Sequence, residues 1–198
     1  MACEPGLPTE LSLRPGDPEA VLVARIAARE QAALAELYGI YRRRLARFLG
    51  RFLASPDAID EVINDVMFVV WQDAGRFEMR SRVSTWIFGI AWRKALKALE
   101  RQKRHGPPLT QPAVESAAPD ESASALENRE WLRRALDRLV PDQRLVVELT
   151  FFVGCSYQEI AEIAGCPVNT VKTRMFHARH RLRDILKSLD RLEGEDWS

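Results

Sequence analysis

The sequence is poor in the residues that usually bind metals or perform catalysis. Its 198 residues include three cysteines and three histidines. An odd number of cysteines without close spacing argues against a disulfide framework. The sequence contains no phosphate-binding glycine loop, no metal-ligand cluster and no nucleophile–base set. These absences predict a protein that is not an enzyme, with no catalytic residues, no metal and no cofactor.

The even spacing of Cys155, Cys166 and His177 raises the alternative of a metal site. No CxxC or HxxxH pair accompanies them, although zinc sites usually use such pairs. We therefore interpret the cysteines as structural, buried or half-buried side chains. A redox or metal-sensing role for Cys155 and Cys166 stays open at this point.

Long hydrophobic runs are also missing. No stretch of about 18 uncharged apolar residues is present, so no transmembrane helix and no direct membrane insertion are expected. The first 17 residues carry Glu4 and Glu10 and lack the apolar core of a secretory signal. The sequence therefore predicts a cytoplasmic protein.

The net charge of +1 conceals strong segregation along the chain. Residues 54–75 hold five acidic and no basic residues, whereas residues 76–104 hold nine basic and two acidic ones, a net charge of +7. Residues 105–130 are again acidic, with a net charge of −4, and residues 172–191 reach +5. Two separate basic blocks suggest two contacts with a polyanion. Solvated helix faces would explain the charges equally well.

The chain divides at a segment of different composition. Residues 105–125 are rich in Pro, Ser and Ala and show no apolar periodicity, as expected for a flexible linker. Apolar residues recur at helical spacing on both sides, and no alternating strand pattern occurs. We therefore predict an all-α protein with two small helical domains, residues 18–104 and 126–190. The predicted helices cover about 20–28, 31–53, 56–73, 84–104, 141–154, 156–164 and 167–189.

The second domain has the pattern of a helix-turn-helix. Ser156 and Glu159 have the spacing of a capping box at a helix start. Gly165-Cys166-Pro167 then supplies a tight turn, where glycine tolerates a left-handed backbone and proline begins the next helix. Apolar residues at steps of three and four bury one face of that helix. The other face is free for DNA, as in a recognition helix.

Residues on that free face have the chemistry of DNA contacts. Lys172 and Thr173 can bond to base edges, Phe176 can contact a thymine methyl group, and the arginines can meet phosphates. A simple antiparallel helix pair is the alternative. The candidate DNA-contacting residues are Asn169, Lys172, Thr173, Arg174, Phe176, His177 and Arg181.

The first domain contains an acidic helix. Asp57, Glu61, Asp65 and Gln72 fall on one polar face, with apolar residues opposite. A solvated face is the default interpretation. Since this helix has no basic residue, a basic protein surface is a credible partner.

An aromatic and basic segment follows the acidic helix, from Arg76 to Arg104. Aromatic rings can accept unstacked bases while cations follow the backbone, which suits single-stranded nucleic acid. Ile87 and Ile90 are interpreted as core. Trp86 could belong to the core or to the binding surface.

Taken together, these strings resemble the extracytoplasmic-function (ECF) σ factors of the σ70 family. The resemblance covers about residues 20–104 (σ region 2) and 126–188 (σ region 4). Each string is ordinary alone, but their order and spacing are highly specific. They are residues 60–71, 76–77, 84–91, 139–144, 157–161 and 170–174.

The resemblance implies roles that the residues alone do not give. An ECF σ factor binds core RNA polymerase, directs it to specific promoters and helps to melt the −10 element. Polymerase would be contacted at the β′ clamp helices and the β flap, with the linker passing near the active-site and RNA-exit channels. An anti-σ factor would hold the protein inactive. The helix-turn-helix candidates above would read the −35 element.

The resemblance also assigns residues to the first domain. The acidic helix would dock on the clamp helices through Asp60, Glu61, Asn64, Asp65 and Gln72. The −10 element would be contacted by Phe77, Arg82, Ser84, Thr85, Trp86, Arg93, Lys94 and Lys97. The run from Ile90 to Lys97 departs from the usual family pattern, which puts the −10 sequence and the roles of its residues in doubt.

Two other functions compete with this interpretation. A stand-alone helix-turn-helix transcription regulator would explain residues 131–188 but leaves the acidic helix and the aromatic segment without a purpose. An enzyme acting on nucleic acid would need a catalytic set, which the sequence does not contain.

Overall fold

A computed structural model describes residues 17–105 and 131–195, without the side chains of 103–105 and 186–195. In these ranges every regular element is helical. The all-α prediction is therefore confirmed. The helices are α1 (Pro18–Ala27), α2 (Gln31–Leu49), α3 (Pro56–Asp73), α4 (Val83–His105), α5 (described over 131–137), α6 (Pro141–Glu148), α7 (Tyr157–Ala164) and α8 (Val168–Glu195).

The predicted helix starts are confirmed by their capping hydrogen bonds. The Asp17 carboxylate accepts a hydrogen bond from the backbone N–H of Glu19 at 3.0 Å, and Pro18 opens α1. Ser55 similarly accepts from the N–H of Ala58 at 3.5 Å before α3. Such caps satisfy backbone donors that have no partner inside the helix.

Helices α1 to α4 form the first domain around a common apolar core. The side chains of Leu37, Tyr41 and Leu45 follow one another at steps of four residues on α2 and are fully buried. Burial of each of the two leucine side chains contributes about 1.5–3 kcal/mol. The Tyr41 hydroxyl donates a hydrogen bond to Glu19 at 2.5 Å. Burial, reinforced by this carboxylate, raises the pKa of Tyr41 well above its usual value.

One helix end differs from the prediction. α2 ends at Leu49 rather than near residue 53, because Gly50 begins a short turn. The helix that Pro141 opens continues to Val153, close to the predicted end near residue 154, but its last part, Leu149–Val153, is a wider π-helical turn rather than α-helix. Gly154 then closes this turn with a φ of +79°, a backbone conformation that glycine adopts without strain.

Helices α5 to α8 form the second domain, and its core lies between α6, α7 and α8. Leu145, Ile160, Val171 and Met175 are among its buried side chains. α8 extends six residues beyond the predicted end, to Glu195. The predicted linker lies outside the described residues except for His105.

The two domains touch each other along α4 and α7. Their buried side chains belong to one continuous cluster. At Gly89 of α4, an added Cβ atom would lie 3.8 Å from the Cα of Ile163 on α7. The sequence predicted two helical domains but gave no indication of this contact.

Candidate nucleic-acid interface

The helix-turn-helix prediction is confirmed in its local geometry. Ser156 Oγ accepts a hydrogen bond from the N–H of Glu159 at 3.3 Å, and Glu159 Oε2 accepts one from the N–H of Ser156 at 2.8 Å. This reciprocal capping box fixes the first turn of α7. Gly165 adopts the left-handed conformation, with a φ of +63°, and ends the helix. The turn thereby sets the angle at which α8 leaves α7.

Helix α8 separates a buried face from an exposed one. Val171, Met175 and Ala178 are buried against α6 and α7. Most of the predicted DNA-contacting residues occupy the opposite, exposed face of the helix. They are Asn169, Lys172, Thr173, Phe176, His177 and Arg181.

Two of these residues are organised by neighbours on α8 itself. The Phe176 ring is 58% exposed and lies 4.5 Å from the ring of His180 and 5.6 Å from that of His177. The Thr173 hydroxyl donates a hydrogen bond to the carbonyl of Asn169 at 3.0 Å. Its oxygen therefore remains available chiefly as an acceptor.

Arg174 differs from the other predicted contacts on α8. It is half-buried and forms an ion pair with Asp142 at the start of α6. Its guanidinium also lies 3.6 Å from the sulfur of Cys166. Arg174 therefore holds α8 against the rest of the domain in this structure.

The acidic face of α3 is solvent-accessible. Asp60, Glu61, Asn64 and Gln72 are exposed, and Asp65 is half-buried. The predicted set of residues therefore shares one accessible helix face.

The acidic face forms ion pairs with basic residues of the same domain. Asp65 pairs with Lys94 at 3.0 Å, and Glu61 pairs with Arg101 at 3.1 Å. Asp60 lies 3.8 Å from Arg42. Pairs as exposed as these contribute little stability, because water and salt screen them. They can consequently be exchanged for other partners.

The aromatic and basic segment is only partly accessible. Trp86 is half-buried and stacks on Phe77, with ring centroids 4.6 Å apart and planes inclined by 21°. Arg82, Arg93 and Lys97 are exposed. Ser84 and Lys94 are half-buried. Ile87 and Ile90 are buried, which confirms their interpretation as core.

Thr85 lies between the two domains rather than at the surface. It is 3% exposed, and its hydroxyl donates a hydrogen bond to Glu159 Oε1 at 3.1 Å. Arg82 Nε lies 3.4 Å from the same oxygen. Both predicted −10 residues thus contact a carboxylate of the helix-turn-helix.

The surroundings of Glu159 favour its ionised form. Burial acts against the charge, but hydrogen bonds from Ser156 and Thr85 and the charge of Arg82 outweigh it. The net effect lowers the pKa of Glu159 below its ordinary value. Glu159 therefore presents a negative charge to the first domain at neutral pH.

Cys155 and Cys166 are free, half-buried thiols. Burial, with the nearby charge of Glu159, raises the pKa of Cys155 to about 11. Because the thiolate is the reactive form, this thiol is protected from oxidation and alkylation at neutral pH. In residues 17–105 and 131–195, no three His, Cys, Asp or Glu side chains form a group suited to a metal ion.

The part of the chain that the structure describes includes no helix long and apolar enough to cross a bilayer.

One charged group between the domains was missed by the sequence analysis. Glu148 is 1% exposed and lies 3.9 Å from Arg51 and 3.6 Å from Arg144. Its only sequence signal is a glutamate inside the apolar run of residues 145–149, where helical spacing predicts burial. Arg144 lies four residues before Glu148 on α6, a spacing that the sequence shows, whereas Arg51 is distant in sequence and its approach to Glu148 carries no sequence pattern.

An all-α chain with a helix-turn-helix, an exposed acidic helix and an aromatic, basic segment is a DNA-binding protein of the transcription machinery. Residues 37–105 match the family model described as Sigma-70 region 2, and residues 129–182 match Sigma-70, region 4. The chain is 34% identical over 158 residues to "ECF RNA polymerase sigma factor RpoE" of Cereibacter sphaeroides, covering 78% of this chain and 87% of that relative. It is 30% identical over 184 residues to the "ECF RNA polymerase sigma-E factor" of Escherichia coli K12, covering 86% and 95%.

Solved structures give the same result. CnrH, in complex with the cytosolic domain of CnrY, is similar with a TM-score of 0.66 and 25% identity, over 87% of this chain and 99% of that one. The σ factor RpoE of Bartonella quintana, in complex with the anti-σ factor NepR, gives a TM-score of 0.64 and 25% identity, over 77% and 96%. The chain belongs to the ECF RNA polymerase σ factors. Its function is that of a σ factor in transcription initiation, as the resemblance implied.

Proposed function

We propose that this σ factor uses three separate surfaces, each for a different binding partner. The acidic face of α3 binds core polymerase, the segment from Phe77 to Lys97 contacts the −10 element, and α8 reads the −35 element. The observation that carries the proposal is the exposure of six polar and aromatic side chains on α8, directly opposite a buried apolar face.

The acidic face fits a basic helical surface of the polymerase, and we assign it to the β′ clamp helices. Its carboxylates are held in weak, exposed ion pairs with Arg42, Lys94 and Arg101. Basic groups of a partner can replace these pairs at little cost. Docking would then release Lys94, which is itself a −10 candidate.

The −10 surface combines a stacked aromatic pair with exposed cations. Phe77 and Trp86 present a ring platform on which an unstacked base can lie, and Arg82, Arg93 and Lys97 can follow the phosphates. Ser84 and Lys94 complete this surface, together with Thr85 once its hydroxyl leaves Glu159.

The −35 surface combines base contacts with backbone contacts. Lys172, Thr173, Phe176 and His177 stand near the start of α8, where a recognition helix contacts base edges. Asn169 and Arg181 extend the exposed face on either side of them. Arg174 reaches a phosphate only by leaving Asp142. The second domain would also contact the β flap of the polymerase.

We further propose that the chain acts in the cytoplasm and is held inactive by an anti-σ factor. One solved structure that it resembles is a σ factor in complex with an anti-σ factor.

Transcription with purified core polymerase tests the proposed function. We expect the full chain to bind core enzyme and to produce transcripts with defined start sites. Replacing Asp60 and Asp65 together by lysine should weaken core binding at least tenfold, because both charges then repel a basic partner. Glu36→Lys reverses an exposed acidic residue on α2 of the same domain and serves as the matched control.

Two results would contradict the proposal. Equal loss of core binding in the control would remove the assignment of α3. Tight and specific binding of duplex DNA without polymerase, together with no binding to core enzyme, would instead favour a stand-alone regulator.

A further inference from the structure

Phe68 is an apolar side chain in the middle of the acidic face of α3. It is 58% exposed, more than any other large hydrophobic side chain described in residues 17–105. Helical spacing puts it on the same stripe as Glu61, Asn64 and Gln72, which are all exposed. A single exposed hydrophobic residue is common at a protein surface. This one is distinguished by its place on a face whose charge already fits a partner.

The exposed stripe of α3 changes its chemistry along the helix. Its first half carries the carboxylates, from Asp57 to Asp65. In its second half, Phe68 has the neutral amide of Asn64 one turn before it and that of Gln72 one turn after it. A rise of about 1.5 Å per residue makes the stripe from Asp57 to Gln72 about 22 Å long. The face is therefore acidic at one end and apolar, with an amide border, at the other.

The carboxylates and Phe68 would contribute differently to the affinity for a partner. Asp60, Glu61 and Asp65 already pair with basic residues of the same domain. A partner that displaces these pairs exchanges one set of ion pairs for another, so the net gain in binding free energy is small. Covering Phe68 removes apolar surface from water and breaks no ion pair. The ring is therefore the part of this face with the most binding free energy to gain.

We propose that Phe68 is the anchor of the polymerase-binding surface and inserts into an apolar pocket of core polymerase. Interfaces derive most of their binding free energy from a few side chains, often aromatic, that are enclosed by a polar border. Asn64 and Gln72 supply that border, and the carboxylates guide the approach of a basic partner. Phe68 thus sets the lifetime of the complex, while the carboxylates set the rate of its formation. The inference rests on the proposed function of α3 and adds this residue and this division of roles.

Association and dissociation rates with core polymerase separate the two roles. Phe68→Ala removes the ring without changing the charge. We expect its dissociation rate constant to rise about 10- to 100-fold, while its association rate constant stays within about twofold of the wild type. Asp60→Asn combined with Asp65→Asn should instead lower the association rate constant about three- to tenfold and weaken its dependence on salt. Surface plasmon resonance of the full chain at several salt concentrations measures both rates.

Two control variants are matched to Phe68→Ala. Ile40→Ala truncates another exposed apolar side chain, 43% exposed on α2 of the same domain, and should leave both rate constants unchanged. Phe68→Leu keeps an apolar side chain and should retain most of the affinity. Because Phe68 lies outside the buried core, the thermal unfolding of Phe68→Ala should match that of the wild type. A loss of binding in this variant would then not come from misfolding.

A photo-crosslinker tests which protein covers the ring. Phe68 is replaced by p-benzoylphenylalanine, which keeps an aromatic side chain at this position, and the full chain is irradiated with purified core enzyme. We expect a covalent adduct with core polymerase, and none when the same amino acid replaces Ile40. An adduct between two copies of the chain, with none to polymerase, would show that Phe68 mediates self-association and would overturn the inference.

The results separate this inference from the proposed function. If the wild type binds core polymerase and Phe68→Ala dissociates at the same rate, the anchor is refuted, while the proposed function of α3 stands. A Phe68→Ala variant that is slower only in association would also refute the anchor, because the ring would then act on the approach of the proteins. If the wild type does not bind core polymerase, the proposed function fails, and the anchor fails with it.

Discussion

Individual exposed residues of α8 offer different chemistry to DNA. Lys172 lies on the second turn of the helix and presents a flexible donor to base edges. Arg181 lies two and a half turns further along, where the backbone is the more accessible target. Both side chains are exposed, so replacing either one leaves the core intact.

Lys172→Ala should relax specificity at the −35 element. Loss of a base contact is expected to cost about 1–3 kcal/mol on the preferred sequence and less on others. Arg181→Ala should instead weaken binding evenly across sequences and lower the salt slope by about one unit. Transcription from a set of −35 variants at several salt concentrations measures both effects. A uniform loss on all promoters for Lys172→Ala would refute its assignment to base reading.

At the scale of the helices, the sequence predicted helix starts and ends correctly where a capping residue marks them. Ser55, Ser156 and Gly165 carry local signals, and the structure confirms each of them. The helix that begins at Pro141 ends close to Gly154, as predicted, but its change to a π-helical turn over Leu149–Val153 has no distinct residue pattern. Local capping residues determine where a helix starts, whereas tertiary packing determines whether its last turn is α-helical or π-helical.

Gly165→Ala should destabilise the helix-turn-helix. The added Cβ meets no atom within 4 Å, so the cost comes from the backbone at a φ of +63°. A left-handed alanine costs about 1–2 kcal/mol. Gly39→Ala is the matched control, since it also meets no atom but lies on the exposed face of α2. It should stabilise by about 0.5–1 kcal/mol, because alanine favours a helix interior.

Thermal and urea unfolding measure whether the free energy of unfolding falls in Gly165→Ala and rises in Gly39→Ala. A loss of stability in Gly39→Ala as large as that in Gly165→Ala would show that added volume, and not the backbone, is responsible.

For the whole molecule, the contact between the domains links folding to pH. The pKa of Glu159 is lowered in the folded chain, so its ionised form stabilises the folded state above the ordinary carboxyl value of about 4.3. That contribution is lost as the pH falls through the lower folded value. The pKa of Glu162 is raised, by burial and then by the charge of Glu159. Its ionised form therefore destabilises the folded state.

Glu159→Gln should therefore lower the unfolding midpoint at pH 7, and the difference from wild type should shrink below about pH 4. Glu162→Gln should raise the midpoint slightly at pH 7, because it removes an unfavourable charge. Unfolding curves at several pH values measure both trends. A Glu159→Gln difference that stays constant down to pH 3 would show that the charge of this residue does not stabilise the fold.

The sequence alone determined the helical content, the two domains, the helix-turn-helix and the σ-factor resemblance. These features depend on capping residues, apolar spacing and short strings, which are all local in the chain. Only the tertiary structure showed that Glu159 meets Thr85, that Glu148 lies between two arginines and that Arg174 pairs with Asp142. Apart from the pair of Glu148 with Arg144, four residues earlier on α6, those contacts join residues far apart in sequence. Their formation depends on how the helices pack, which no local pattern specifies.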